Sequence, residues 1–443
     1  MKRIFLFLAA LCVAASCGSD PGGDTVETSR SRFVPPDDPG VEMYRSARFT
    51  PDWRLRPMNP VDWETALGIP AVGVTRDEEG RVTEAAGFWR GRRSDNVAVA
   101  EHPPLLRFAY DGNIETITFH YADGTPFSMQ GIRGYSVTRD PEIETTVLTF
   151  LGEGQEPVPM DEGVWSISFE PDSGNWYSRV LRDSSGEPAR GPEIFTNRYL
   201  LDDDDNPLAL EMRDPGGDMV PLGGNVFRLE MSYDGSGNII ERKRLDLQGI
   251  PVVDPAYPGW QTYEISDDGL TLGYTMLGPD GDPAENRQGA HSGEFTYDRY
   301  GRILEMKSFD AEGEPVAPGG VWNTRREYDD TMLRTAVTRL DPLGEPVEVA
   351  GVARTVMFHD SLGSVTEISY WDSEGEPARD PVGVHRYTYT YGDHARRMEL
   401  RIWEPTGEPG TSSRGYHIER FIYDGNGNPI AAERLDLDGE PVR

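Results

Sequence analysis

The sequence predicts an all-β protein built as a tandem array of β-hairpins, an antiparallel meander with about 31 or 32 residues per unit. Two observations lead to this fold class. Two short strings, Asp-x-x-Gly-x-Pro and an aromatic residue followed by Asp and a glycine turn, recur with one shared period through most of the chain. Between the strings, polar and apolar residues alternate, as in a half-buried strand. Because each hairpin can bury its apolar face only against its neighbours, we expect an elongated, superhelical or shell-like array.

The first residues predict an export signal that is cleaved before a cysteine. Lys2 and Arg3 precede an apolar run from Ile4 to Ala15, which is too short to span a membrane as a helix. The small residues directly before Cys17 resemble the lipobox of bacterial lipoprotein signal peptides. The resemblance implies a signal peptide over residues 1–16 and a diacylglycerol cysteine, a palmitate-type anchor, at Cys17. An ordinary secretory signal that contains a cysteine is the alternative.

A lipid on Cys17 implies a location in the bacterial cell envelope, outside the cytoplasm. Gly18 follows the cysteine, and by resemblance to known lipoproteins this favours the outer membrane or the cell surface over the inner membrane. The expected membrane contact is the lipid anchor.

Two segments separate the signal from the repeats. Residues 17–30 hold the lipidated cysteine and a run of Gly, Ser, Asp, Thr and Pro, which predicts a flexible tether. Residues 31–106 contain aromatic residues such as Trp53 and Trp63 among many prolines, without a clear period. This pattern predicts an irregular N-terminal cap, which can include a degenerate first repeat near Asp77.

Residues 107–443 form the predicted repeat domain, with about ten or eleven units. Six full copies of the first string pair an aspartate with a glycine three residues later: Asp183 with Gly186, Asp246 with Gly249, Asp310 with Gly313, Asp341 with Gly344, Asp372 with Gly375, and Asp436 with Gly439. The simplest cause of the glycine is a backbone conformation with positive φ in a structural turn, and close approach to a ligand is the alternative. Because proline cannot donate to a ladder, we expect this string to open a longer loop, whereas the second string forms the tight hairpin turn.

The second string has a counterpart in a known family. The segment from Tyr297 to Ile303, Tyr-Asp-x-x-Gly-Arg followed by alternating residues, resembles the YD repeat of the RHS family. The resemblance covers the repeat array, with a longer period than is usual for those repeats and with the Gly-x-Pro loop in addition. It implies strands that wrap into a long β-shell.

The charge and the cysteines exclude several classes of site. The formal net charge is -33, and nucleic acid is therefore not an expected partner, because phosphate binding needs clustered cations. The chain has two cysteines, Cys12 and Cys17, and cleavage before Cys17 would remove the first of them. We therefore expect neither an internal disulfide nor a cysteine metal cluster in the mature chain.

No motif of a known catalytic site is present in the sequence. A Gly-x-Ser-x-Gly elbow, a phosphate-binding glycine loop and an HExxH motif are absent. Seven histidines are scattered without metal-ligand spacing, and we expect packing roles for them: His102, His120, His291, His359, His385, His394 and His417. The sequence predicts no catalytic residue, no metal site and no cofactor. Calcium at the Asp424 turn or at the acidic run Asp202 to Asp205 stays open beside plain turn formation.

These observations favour a non-catalytic binding or structural role in the envelope. Repeat arrays make long surfaces, and this one is expected to be acidic and to contact a protein or a glycan. Tyr387, Tyr389 and Tyr391 share one strand face, which we expect to pack; if exposed, it is a candidate contact surface. A hydrolase of envelope polysaccharide that uses unidentified carboxylates is the alternative.

Overall fold

The structure is a computed structural model that describes residues 40–442, apart from residues 90, 96, 101, 161–162, 190–194, 253–258, 330–332, 361–362, 394–395 and 425–428. The predicted signal peptide, Cys17 and the tether lie outside the described residues. All 28 strands of the described residues belong to one sheet. The N-terminal strands are β1 (Val41–Phe49), β2 (Leu55–Pro60), β3 (Ala71–Arg76), β4 (Val82–Trp89) and the two-residue β5 (Arg92–Arg93). The α-helix of the described chain, α1 (Trp63–Gly68), follows β2.

The remaining strands form successive hairpins. The first five pairs are β6 (Leu105–Asp111) with β7 (Ile114–His120), β8 (Gly134–Asp140) with β9 (Thr145–Leu151), β10 (Ser166–Pro171) with β11 (Trp176–Arg182), β12 (Thr196–Leu201) with β13 (Pro207–Arg213), and, after the two-residue β14 (Met219–Val220), β15 (Arg228–Tyr233) with β16 (Ile239–Leu245). The next six are β17 (Trp260–Ile265) with β18 (Thr271–Leu277), β19 (Ser292–Tyr297) with β20 (Ile303–Phe309), β21 (Asn323–Tyr328) with β22 (Arg334–Leu340), β23 (Arg354–His359) with β24 (Val365–Trp371), β25 (Arg386–Tyr391) with β26 (Arg397–Trp403), and β27 (Ile418–Tyr423) with β28 (Pro429–Leu435). Pro318–Gly320 form a short 3-10 turn between β20 and β21.

The sheet is an open antiparallel meander. Its order is β2, β1, β3, β4, β6 and then chain order to β28, with β5 and β14 as short additions to β4 and β13. Within the described chain, β2 and β28 do not pair with each other, so strand pairing does not close the sheet into a shell. The predicted all-β array of tandem hairpins is confirmed, and it fits the strand repeats implied by the resemblance to YD repeats. No helix among the described residues has the length and apolar character needed to cross a membrane.

Each hairpin is a tightly paired unit, and neighbouring hairpins are joined less extensively. In the hairpin β25–β26, six residue pairs run from Arg386↔Trp403 to Tyr391↔Arg397. Between hairpins, β26 and β27 share only three pairs, centred on Leu400↔Glu419. These three pairs lie near the Gly-x-Pro loops, so neighbouring hairpins separate toward the Tyr-Asp turns. The Tyr-Asp turns lie at one end of the strands, and we call this side of the sheet the turn edge. The Gly-x-Pro loops lie at the opposite end of the strands, and we call that side the loop edge.

The tyrosine of the second string joins neighbouring hairpins where the ladder between them ends. The Tyr328 hydroxyl donates a hydrogen bond to the backbone oxygen of Ile303 in the preceding hairpin, at 2.9 Å. The same bond recurs from Tyr110 to Val82, Tyr233 to Pro207, Tyr297 to Thr271, Tyr391 to Val365 and Tyr423 to Arg397. The aromatic residue before the turn aspartate therefore bonds one repeat to the next.

Both strings form the same tight turn. The sequence had predicted a tight turn only for the second string and a longer loop for the first, so that part of the prediction is wrong. In the first string, the amide of Gly249 donates to the Asp246 oxygen at 3.1 Å, and in the second, the amide of Gly237 donates to the Asp234 oxygen at 3.0 Å. The added length follows the first string, because Pro251 pairs in an isolated bridge with Leu245 and the chain then continues to β17. Proline thus follows the turn instead of opening a loop.

The segment predicted as an irregular cap is more regular than its sequence pattern indicated. Residues 41–106 contain β1 to β5, the start of β6 and α1, whose first turn is capped by the Asp62 side chain accepting from the Thr65 amide at 2.7 Å. In β3 and β4 most residues on both faces are buried, so their apolar run does not alternate. Period two is the sequence signal of a half-buried strand, and a strand buried on both faces lacks it.

The hairpin β1–β2 lies along the turn edge and contacts the turns of successive repeats. Arg54 pairs with Asp205 in the β12–β13 turn at 3.1 Å, and the Asn59 amide donates to Asn238 in the β15–β16 turn at 2.9 Å. Arg45 donates to the backbone oxygen of Tyr300 in the β19–β20 turn at 3.2 Å. The array therefore coils with its turn edge against the N-terminal hairpin and its loop edge facing away from it.

Candidate functional site

The six predicted Asp and Gly pairs all lie in tight turns on the loop edge. In each copy one oxygen of the aspartate accepts from the amides two and four residues later, at 2.8 to 3.2 Å. Every glycine of the set has positive φ, between 79° and 86°. The aspartates are therefore engaged in holding the turns, and the glycines supply a conformation that other residues rarely adopt.

The free carboxylates of the loop edge belong to other positions of the same turns. Acidic side chains at the third and fifth positions are exposed, and they comprise Glu187, Glu312, Glu314, Glu345, Glu374, Glu376, Glu408, Asp438 and Glu440. Because each hairpin adds two strands, neighbouring turns are about 10 Å apart. The loop edge thus presents carboxylates at a regular interval, which matches the extended acidic surface expected from the sequence.

The acidic run at Asp202 to Asp205 forms the β12–β13 turn and faces arginines of the N-terminal hairpin. Asp202 accepts from the amide of Asn206 at 2.8 Å, and Asp205, with φ of 59°, takes the place of the turn glycine. Arg56 donates to the backbone oxygen of Asp204 at 2.7 Å. Burial and the nearby carboxylate of Asp52 raise the pKa of Asp205. The acidic run is therefore engaged in turn formation through Asp202 and in pairing with the N-terminal hairpin through Asp205.

No described cluster has the composition of a metal site. Among the described residues, no three or more His, Cys, Asp or Glu side chains are grouped to hold a metal ion. The second calcium candidate, the turn after Asp424, lies largely outside the described residues, as does His394.

Three histidines occupy one repeated position, a role that sequence reasoning missed. Nδ1 of His291, His385 and His417 lies 2.9 to 3.1 Å from the backbone oxygen seven residues earlier. Each ring therefore contacts the backbone of the loop that precedes its own strand. The interval of 32 residues between the last two was the available signal. Burial lowers the pKa of the other described histidines: His102, His120 and His359.

The two faces of the sheet differ in charge between β15 and β26. We call the side that carries Tyr199, Leu210 and Leu229 the core face, because these residues pack in or against the main hydrophobic core. None of the paired core-face positions in these twelve strands holds Asp or Glu. Six hold arginine: Arg242, Arg244, Arg326, Arg334, Arg339 and Arg397. The opposite side, the outer face, carries glutamate and basic residues together.

Aromatic residues accompany the arginines on the core face. Tyr387 and Tyr389 have stacked rings with centroids 6.4 Å apart, and Tyr370 meets Tyr387 edge-on. The Arg397 guanidinium lies 4.7 Å from the Tyr389 ring centroid. Burial raises the pKa of Tyr389 to about 12. At the loop side, the Tyr387 hydroxyl donates to the Asp380 carboxylate at 2.9 Å. The tyrosine row expected to pack is therefore packed, although two of its three side chains stay partly accessible.

A depression of about 620 Å³ lies on the outer face of β3 to β7. Its lining includes the hydroxyls of Thr75, Thr83, Thr116 and Thr118, together with Gln155, Glu84, Arg93 and Arg107. Glu84 pairs with Arg93 and, at 3.4 Å, with Arg107. It is the only carboxylate among the lining residues, whereas glycoside hydrolysis requires a pair.

Comparisons with known proteins give distant similarities of fold. No family model matches the chain, and no curated protein matches it. The chain is similar to the crystal structure of TcdB2-TccC3-TEV, with 12% identity and a TM-score of 0.35 over 88% of this chain and 22% of that chain. A porin-like protein from Bacteroides uniformis is similar with 9% identity and a TM-score of 0.14, over 74% of this chain and 93% of that chain. This chain thus spans about a fifth of the length of the TcdB2-TccC3-TEV chain, and neither similarity is close enough to assign a function.

Proposed function

We propose that the chain is a lipid-anchored protein of the bacterial cell envelope with a non-catalytic binding or structural role. The observation that supports this proposal is the continuity of the array. From β15 to β28, each hairpin repeats the same register and carries a turn on the loop edge. An array of units with one shared register offers a long surface, which suits an extended partner better than a small substrate.

The placement of the carboxylates favours binding over catalysis. The turn aspartates accept backbone hydrogen bonds, and outer-face glutamates pair with arginines, as Glu305 does with Arg325 at 2.9 Å. Glu84, in the depression, is held between two guanidinium groups. Burial acts to raise the pKa of Glu305, but hydrogen bonds from Arg325 and Lys307 outweigh it and lower that pKa, whereas a general acid needs a raised pKa. The remaining exposed carboxylates of the loop edge are surface charges available to a partner.

One experiment with two readouts tests the proposal. Fatty-acid labelling should mark the wild type, and Cys17→Ser should lose both the label and the membrane association. The unlabelled Cys17→Ser chain should then bind a member of a panel of envelope glycans and proteins without cleaving chromogenic glycosides. Label retained by Cys17→Ser would contradict the anchor. Turnover of a glycoside would contradict the non-catalytic role, and a chain that binds nothing on the panel would contradict the binding role.

A further inference from the structure

We propose that the core face between β15 and β26 is a binding surface for an acidic polysaccharide strand. This inference rests on the proposed binding role and names both the surface and the chemical class of the partner. It assigns recognition of this polysaccharide to a face whose cations and aromatic rings are unusual in so acidic a chain.

The charge separation between the two faces is the first argument. Arg325 and Arg326 are adjacent in β21 and point to opposite sides of the sheet. Arg325, on the outer face, pairs with Glu305 at 2.9 Å. Arg326, on the core face, lies 3.0 Å from the Met306 sulfur, and its buried Nε has no hydrogen-bond partner. The same strand thus neutralises one arginine and leaves the other facing neutral groups.

Two further arginines of the core face, Arg339 and Arg397, follow the same pattern. Arg339 donates to the backbone oxygen of Val352 at 2.6 Å, and Arg397 lies against the Tyr389 and Phe421 rings. Among the described residues, no carboxylate oxygen is within 4.0 Å of Arg326, Arg339 or Arg397. Guanidinium groups bind carboxylates through two parallel hydrogen bonds. A carboxylate that the protein does not supply is therefore the group that complements this face.

The aromatic rings between the arginines indicate the rest of the ligand. Tyr274 lies beside Phe295 with centroids 6.1 Å apart, and Tyr370, Tyr387 and Tyr389 form a second group nearer the C-terminus. The Tyr387 hydroxyl is already donated to Asp380, so its ring is the part that a ligand can contact. Tyrosine in general offers an apolar ring and a hydroxyl at once, which suits a ligand that has both C–H faces and hydroxyl groups. Sugar rings that carry carboxylates have this combination.

The shape of the face favours a polymer over a small anion and a glycan over a peptide. Twelve strands at a spacing of about 4.8 Å give a surface about 55 Å long and three core-face residues wide. A peptide that bound as an added strand would need a free sheet edge, and these strands are paired on both sides. Recognition must therefore use side chains, and a charged extended glycan can lie across the strands.

Binding of polygalacturonate to the full-length chain, carrying Cys17→Ser to keep it in solution, tests the inference. We expect binding that weakens with salt, no binding of neutral dextran, and a loss of affinity of about tenfold for Arg326→Gln. Arg325→Gln is the matched control, since it removes the same charge one residue away on the other face. It should change the affinity less than twofold. Arg397→Gln is a second test should Arg326→Gln unfold, and it should also weaken binding several-fold.

Several outcomes would overturn the inference. Equal losses for Arg325→Gln and Arg326→Gln would place binding elsewhere or reduce it to net charge, and tighter binding of polyglutamate would make the partner an acidic peptide. Binding of a neutral glycan or a protein without polygalacturonate would overturn this inference and leave the proposed binding role intact. A chain that bound no member of the wider panel would overturn both.

Discussion

The turn glycines have one conformation but two different surroundings. Gly375, on the loop edge, has φ of 84° and open space where a side chain would point. Gly269, at the same position of a Tyr-Asp type turn, has φ of 79°, and a side chain there would meet Asn59 of the N-terminal hairpin. Backbone strain is therefore the whole penalty of a substitution at the first site and only part of it at the second.

Substitutions at these two glycines separate strain from packing. We expect Gly375→Val to lower the free energy of unfolding by about 1 to 3 kcal/mol, because a β-branched residue fits positive φ poorly. Gly375→Asn should cost less than about 1 kcal/mol, since asparagine tolerates this region. Gly269→Asn should be clearly more destabilising than Gly375→Asn because of the contact with Asn59. Urea unfolding of the three variants measures these differences, and a Gly375→Val chain as stable as wild type would contradict the turn explanation.

Turn chemistry made some residues predictable and left others hidden. Asp and Gly at fixed offsets indicate a turn whatever surrounds them, so the roles of Asp372 and Gly375 could be inferred from the sequence. The tyrosine hydroxyl bonds to a backbone oxygen, as from Tyr328 to Ile303. A backbone acceptor has no residue type, so the sequence shows that the tyrosine recurs and not what it contacts.

At the scale of elements, a hairpin is held more firmly than the junction between hairpins. Six residue pairs join the strands within a hairpin, as in β21–β22, and three join β20 to β21. The tyrosine bond adds a contact at the turn edge, where the inter-hairpin ladder has ended. In β23 the position belongs to His359, which has no hydroxyl, and its Nδ1 is buried without a hydrogen-bond partner.

The tyrosine bond predicts a loss and a gain of stability at two equivalent positions. Tyr328→Phe should lower the free energy of unfolding by about 1 kcal/mol, because it removes the hydroxyl and leaves the Ile303 oxygen without that donor. His359→Tyr should raise it by about 0.5 to 1 kcal/mol if the new hydroxyl makes the repeated bond. Tyr177→Phe is the control, since its hydroxyl meets the exposed side chain of Glu144 at 3.3 Å. A lower unfolding temperature for Tyr177→Phe than for Tyr328→Phe would contradict the role of the bond.

The elements that the sequence predicts well are those with one covered face. From β15 onward the strands alternate, and their number and period follow from the pattern. In β3 and β4 both faces are buried, so alternation is lost and an irregular cap was expected instead. Tight turns in the first string were obscured by proline, which follows the turn and does not interrupt a strand.

At the scale of the whole molecule, stability is distributed unevenly along the array. The largest core joins residues from Trp53 to Leu210, whereas the last hairpins share a small cluster of Val384, Leu400 and Ile402. The N-terminal half is therefore the better-packed part. The second half depends on contacts between neighbours and on turns that reach the N-terminal region, such as Arg396 with the Tyr121 hydroxyl at 2.7 Å.

This distribution predicts how the chain tolerates shortening. A chain that ends after Pro377 loses the hairpins from β25 onward. It breaks the three-pair ladder between β24 and β25, the hydrogen bond from Tyr391 to Val365 and the contact of Arg396 with Tyr121, and it splits no hairpin. We expect it to remain folded, with the amides of β6 to β13 protected from hydrogen exchange as in the full chain. A chain that ends after Leu400 splits the hairpin β25–β26 and should expose an unpaired strand, with faster exchange in β25 and more aggregation. Equal behaviour of the two chains, or loss of structure in the first, would show that hairpins are not the units of stability.

The coiling of the array could not be predicted from the sequence. Period and alternation describe each hairpin and its neighbour, whereas the seat of β1–β2 on the turn edge joins residues as far apart as Arg45 and Tyr300. The two ends of such a contact lie outside any repeat relation. The charge separation on the core face has the same origin, because it becomes visible only when the register assigns each arginine to a side of the sheet.

The position of the N-terminal hairpin also has a consequence for the order in which the molecule is assembled. The chain of an exported protein emerges from the membrane with its N-terminus first, so Arg45 emerges before Tyr300, which lies 255 residues later. Until then β1 pairs with β2 and β3, but side chains such as Arg45 lack their contacts with the later turns. Each new hairpin can thus dock on a surface that already exists, and its turn meets the next free group along it. Folding of this chain should therefore proceed in order from the first hairpin to the last, and each later turn should dock on N-terminal strands that are already folded.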